Sequence, residues 1–268
     1  MDVPLESLST SNTYELLADQ LLKTGIVDGT GCPSGGLNID GSPNGCGLQV
    51  AKAAVNDWQN RYNRAILSAS WQQNVPPKVL KALIAVESQF WPGASWDKGE
   101  IGLGQMTTLG ADMLLTWRPT VYQSICRQGL GEEACGKRYV ELETSQQQML
   151  RGMALKQIDA TCPTCSCGVD PSKGDVAVSI LAETLNASCQ QTARTFRMAQ
   201  GKTPAAAMSY EDFWRLALAN YHVGTGCIYQ ALRITGNPSS WSAIALNLTG
   251  SCRSGSVYIH RIEEQLIP

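Results

Sequence analysis

Apolar positions recur at three- and four-residue spacing along most of the chain, the period of an amphipathic helix. Between about 48 and 73, Val50, Ala54, Trp58, Tyr62, Ile66 and Ala69 keep that rhythm, with Trp58 and Tyr62 expected in a core. Residues 12–25 predict a short helix, capped by Ser11 or Thr13, striped by Leu16, Leu17, Leu21 and Leu22, and ended by Gly25. Pro76 and Pro77 open a further helix through KVLKALIAVESQF, because proline is tolerated in a first turn; it stops near Pro92. Later helices are expected at about 107–116, 141–160, 173–199, 210–222, 225–235 and 254–266. Few runs alternate in the way a strand requires. The expected fold is mainly α, with at most a small β element.

One helix breaks its own pattern. Leu80, Leu83, Ile84 and Glu87 stand at i, i+3, i+4 and i+7, so Glu87 occupies a place on the apolar stripe where a hydrophobe is expected. Glutamate is rarely buried unless it is paired. A carboxyl partly removed from water has a raised pKa and can stay protonated near neutrality, the state a general acid requires. Periodicity alone leaves a plainer alternative open, in which Glu87 ends the stripe at the surface or pairs with a base.

The ten cysteines change the picture next. An even, high count favours disulfides and an oxidising compartment. Proximity along the chain suggests Cys32 with Cys46, Cys126 with Cys135, and Cys227 with Cys252. Zinc at Cys162, Cys165 and Cys167 competes, but a structural site needs a fourth ligand such as Cys189, and neither His222 nor His260 is near in sequence. Disulfides are preferred, and no metal or cofactor is expected. Residues 29–47, rich in Gly, Ser, Pro and Asn, read as a loop closed by Cys32 and Cys46. The expected organisation is an N-terminal helix and cysteine loop over 1–47, then a main domain over 48–268. Within that domain, residues 118–205 hold six cysteines and read as helices joined by disulfide-stapled loops.

Charge excludes more than it selects. The chain has 21 basic and 23 acidic residues, a net charge of −2. No basic surplus calls for nucleic acid, and no apolar run approaches the roughly 18 residues of a membrane span. The first residues, MDVPLESLSTSNTYELL, lack a basic start and apolar stretch, so they do not read as a signal peptide.

Four short stretches then carry a resemblance. Glu87-Ser88-Gln89-Phe90 is followed by Gly102-Leu103-Gly104-Gln105-Met106-Thr107; Ala219-Asn220-Tyr221-His222-Val223-Gly224 and Tyr258-Ile-His-Arg-Ile262 come later. In that order and spacing they resemble the soluble lytic transglycosylases of the lysozyme-like superfamily. The family's catalytic helix ends in Glu-Ser-x-Phe, and a Gly-Leu-(Met or Gly)-Gln turn follows. The resemblance covers about 60–116 and 210–266, and makes 118–205 an elaboration. It implies a lysozyme-like α fold with a groove for β-1,4-linked amino sugars. It further implies cleavage between N-acetylmuramic acid and N-acetylglucosamine in peptidoglycan, giving 1,6-anhydro ends.

On that resemblance Glu87 is the catalytic acid and then the base. Ser88, Gly104, Gln105, Met106, Tyr221 and His222 would bind substrate, and the glycines Gly102 and Gly104 would let backbone approach the glycan. Two residues depart from the family pattern: His222 stands where Asn is usual, and Gly104 where many members carry Met. Most glycosidases use two carboxylates. Asp97, Glu100 and Asp112 are near in sequence, but no spacing singles out a partner. Trp91 and Trp96 could stack on sugar faces, with core packing the plainer role. The partner implied is the peptidoglycan strand, outside the cytoplasm; a secretion apparatus or virion also fits, and nothing in the sequence selects one. A hydrolase of lysozyme or chitinase type on the same scaffold, and a glycan-binding module without catalysis, are the alternatives.

Overall fold

The computed structural model describes residues 3–95 and 97–266, and it is mainly helical. A 3-10 turn at Leu5–Leu8 precedes α1 (Glu15–Lys23), α2 (Gly45–Asn60), α3 (Asn63–Gln73) and α4 (Pro77–Ser88). A small antiparallel hairpin follows, β1 (Ala94–Ser95) against β2 (Glu100–Ile101), with Ala94 opposite Ile101 and Ser95 opposite Glu100. Then come α5 (Thr108–Trp117), α6 (Pro119–Gly129), α7 (Glu132–Cys135), α8 (Thr144–Ile158) and α9 (Gly174–Gln200). The chain ends in α10 (Tyr210–Val223), α11 (Thr225–Thr235), α12 (Trp241–Ala245) and α13 (Ser254–Leu266).

The residues divide into two compact units. The first holds the chain up to Thr108 together with Gly152–Ala182; the second holds Leu109–Arg151 and the chain from Glu183 to Ile267. In the first unit α1 packs on α2 and α3 packs on α4. Its core includes Leu17, Leu21, Ala51, Ile66, Leu80, Leu83 and Ile84, all fully buried. The helix expected over 48–73 is two helices. Asn44 caps α2 by accepting from Gly47 N at 2.9 Å, and the helix begins at Gly45. The break comes at Tyr62, whose backbone leaves the helical region at φ −90°, ψ 2°. Tyr62 is buried, and a Cβ placed on Gly174 would come within 2.1 Å of its ring. The apolar period continues through the kink because Trp58, Tyr62 and Ile66 still face inward.

In the second unit α10 packs against α11, α12 and α13. Leu216, Ala217, Leu218 and Ala219 of α10 are all buried, which explains the dense apolar run there. Arg118 pairs with Glu183 and donates to Asn186 at 3.1 Å.

Four disulfides close loops: Cys32–Cys46, Cys126–Cys135, Cys162–Cys165 and Cys227–Cys252. Three are the pairs suggested by proximity. Cys167 and Cys189 are not disulfide-bonded, so the even count does not translate into complete pairing. Zinc at the Cys162 loop would need Cys162 and Cys165 as thiolates, and both are consumed by their bond. No helix among the described residues is long and apolar enough to cross a membrane.

Candidate active site

Glu87 stands in the last turn of α4, half-buried. The helix forms there because Pro77 fits its first turn and Leu80, Leu83 and Ile84 bury completely. Burial of each such side chain contributes about 1.5–3 kcal/mol, which fixes the register that Glu87 inherits. The helix then stops abruptly. Gln89 (φ 46°) and Phe90 (φ 67°) are both left-handed, a conformation that costs of order 1–3 kcal/mol at a residue with a side chain. The surroundings hold it in place. The Phe90 ring is fully buried with its centroid 5.5 Å from that of Tyr14, and the Phe90 carbonyl accepts from Trp58 Nε1 at 2.9 Å. Trp91 stacks on Trp58 at 5.7 Å, an aromatic packing role; Trp96 lies outside the described residues.

Ser88 joins this helix exit to the glycine turn fifteen residues later. Its side chain is buried, and its hydroxyl donates to Leu103 O at 2.9 Å, with Ile84 O at 3.2 Å as a second acceptor. The turn is closed by paired backbone bonds between Ile101 and Met106, at 2.9 and 3.1 Å. Gln105 is left-handed (φ 46°) and its side-chain amide donates to Gly102 O at 2.7 Å. Gly102 sits at φ 74°, and a Cβ there would fall 2.8 Å from Ile158 O. The fold itself therefore demands glycine at 102.

This geometry separates the substrate-binding candidates of the first unit. Ser88, Gly104 and Met106 are buried, and Gly104 and Met106 line a small apolar crevice with Leu103, Ile158, Ala177 and Leu181. They build the turn. Glu87, Gln89, Gln105 and Thr107 are the partly open residues of these two stretches.

Tyr221 and His222 belong to the second unit, at the end of α10. Asn220 beside them is buried; its amide donates to Ser188 Oγ at 3.2 Å and Gln191 Oε1 at 2.9 Å, and Ser188 in turn donates to Ala217 O at 2.8 Å. That network ties the end of α10 to α9 and leaves Tyr221 half-buried. His222 is exposed at its edge and lies flat on Tyr258, centroids 4.2 Å apart and planes within 3°. Desolvation, and then the charge of Arg261, hold its pKa below the usual histidine value. A neutral imidazole is favoured, able to donate from one nitrogen and accept at the other. The stack thus brings the third and fourth resemblance stretches into contact.

Among the carboxylates near Glu87 in sequence, Asp97 is exposed and Glu100 is partly exposed in β2. Asp112 is committed elsewhere: it pairs with Arg151 at 2.9 Å and accepts the Tyr139 hydroxyl. The Tyr139 hydroxyl is pushed above its usual pKa by burial and then by that carboxylate. No cluster of three or more His, Cys, Asp or Glu suited to a metal occurs among the described residues.

The chain matches no family model and no curated protein.

Sequence reasoning placed Gln89 and Phe90 in the Glu-Ser-x-Phe stretch but missed their left-handed backbone and the packing of Tyr14 on Phe90. The signal was faint: a helix that ends with no glycine or asparagine after it, where a left-handed cap usually wants one.

Proposed function

We propose that this chain is a peptidoglycan-cleaving lytic transglycosylase with a lysozyme-like fold, acting outside the cytoplasm, and that Glu87 is its acid and base. The single observation that most supports this is the joining of Glu-Ser-x-Phe to the Gly-Leu-Gly-Gln turn by the Ser88–Leu103 hydrogen bond. A glutamate is held at a strained helix exit, partly shielded, next to a rigid turn that offers the Gln105 amide. Strain of this kind clusters at active sites, where rigidity positions reacting groups.

The chemistry follows from one carboxyl. Protonated Glu87 gives its proton to the glycosidic oxygen as the bond to the anomeric carbon breaks. The acetamido oxygen of the muramic acid residue stabilises the cation that develops. The Glu87 carboxylate then takes the proton of the C6 hydroxyl as that oxygen closes on the anomeric carbon. No water is consumed and no second carboxylate is required. Gln105 would hold a sugar amide through its donor and acceptor. Four disulfides fit an oxidising compartment.

Mass spectrometry of digested, purified peptidoglycan tests the reaction. The expected fragments end in 1,6-anhydro sugars, lighter by one water than hydrolytic ends. Reducing ends alone would make the chain a hydrolase on this scaffold. Binding without any cleavage would make it a glycan-binding module.

A further inference from the structure

The stretch before α1 is held in an unusual way. Residues 9–14 form no helix or strand, yet their backbone is bonded at alternate positions to side chains of the helices beneath. Lys81 donates to Leu8 O. Asn60 accepts from Thr10 N at 3.0 Å and donates to Thr10 O at 2.8 Å. Gln59 does the same at Asn12, accepting at 3.1 Å and donating at 3.0 Å. Tyr14 lays its ring against Phe90, and Gln89 Oε1 accepts from Leu16 N at 2.8 Å. Residues 8, 10, 12, 14 and 16 are thus each engaged. Two side-chain amides act here as a neighbouring strand would, offering a donor and an acceptor to one residue and again two residues on.

The far end of this strap lands on Gln89 and Phe90, the two left-handed residues directly after Glu87 and Ser88. The near end is anchored by Lys81, which lies on the same helix as Glu87. Lys81 is buried, donates also to Asn60 Oδ1 at 2.9 Å and Asn63 Oδ1 at 2.8 Å, and lies 5.6 Å from the Phe90 ring. Removal from water drives its pKa down to about 8. A buried ammonium among neutral oxygens is expensive unless those oxygens stay in place. The strap supplies one of them, so strap and catalytic helix hold each other.

We infer that residues 8–16 are a positioning strap for the acid, and that Gln89 is a positioning residue which fixes where Glu87 leaves α4. This rests on the proposed role of Glu87. The strap touches no reacting atom. It over-determines a backbone that would otherwise relax out of the left-handed region, and so holds the carboxyl within the narrow range that proton transfer to a bound glycan requires.

The test is the full chain carrying Gln89→Ala, assayed beside the wild type and Gln89→Glu, which keeps an acceptor for Leu16 N. The substrate is purified peptidoglycan, and amide hydrogen exchange is followed in parallel. For Gln89→Ala the expected result is a fall in kcat of about tenfold to a hundredfold with KM little changed. Exchange should quicken at residues 86–91 and stay unchanged in α10 and α13. Gln89→Glu should restore most of both. Unchanged kcat with a lower melting temperature would overturn the strap while leaving Glu87 in its role. A wild-type chain that cleaves nothing overturns the functional reading itself, and with it the catalytic purpose of the strap.

Discussion

The exit of α4 and the end of α10 both carry residues of the resemblance, and they are built by different physics. At the α4 exit the backbone is strained. Gln89, Phe90 and Gln105 are three of the five described non-glycine residues with positive φ; of the other two, Ser34 lies in the Cys32–Cys46 loop and Asn74 ends a helix. The strain is contained by aromatic packing, by the Ser88 hydroxyl and by the strap. At the end of α10 no non-glycine residue is strained. Ordinary helix packing, a small buried amide network and one ring stack suffice. A fold stores strain only where the surroundings enforce it. On the proposed reading, proton transfer, which needs exact placement, belongs to the first region.

The sharpest way to break this contrast is to remove the containment. Phe90→Ala deletes a fully buried ring and should cost about 3–5 kcal/mol in chemical denaturation. Ile259→Ala on α13, also buried, should cost about 2–5 kcal/mol. Activity per folded molecule separates them: it should fall for Phe90→Ala and hold for Ile259→Ala. Equal loss of activity in both would remove the distinction between the regions.

The smallest effect concerns His222. Its folded pKa lies below the unfolded value of about 6.5. As pH falls, the unfolded chain takes up the proton first. The stability that the neutral imidazole contributes is present above about pH 6.5 and is lost as pH drops through the lower folded value. Melting temperature followed from about pH 8 to about pH 5 should therefore decline. His222→Phe, which keeps a ring against Tyr258 but cannot titrate, should flatten part of that decline. An identical pH dependence in both proteins would free His222 from this role.

Much of the helical fold was legible because burial writes a period into the sequence. The helices expected at 173–199, 210–222 and 225–235 lie at Gly174–Gln200, Tyr210–Val223 and Thr225–Thr235. The kink at Tyr62 was not legible, since a kink that keeps the same residues inward leaves the period intact. Helix α6 was hidden within a cysteine-rich stretch, although Tyr122, Ile125 and Cys126 keep helical spacing and are buried. Around Glu87 the sequence reveals an acid on an apolar stripe and no more of the geometry. Ser88, Gly104 and Met106 carry the right residue types for binding, yet burial turns them to building the turn. The strap was invisible for a further reason: its bonds run from the amides of Gln59, Asn60 and Gln89 to backbone 47 to 73 positions away. Polar contacts between a side chain and a distant backbone leave no periodicity to read.

The central claim is that Glu87 performs both proton transfers. Its most direct test is the rate of release of soluble fragments from purified peptidoglycan by Glu87→Gln beside the wild type, with both shown to be folded by their melting curves. The account predicts a loss of at least about a hundredfold, since glutamine keeps the shape and removes the transferable proton. A Glu87→Gln variant that cleaves at the wild-type rate would contradict it.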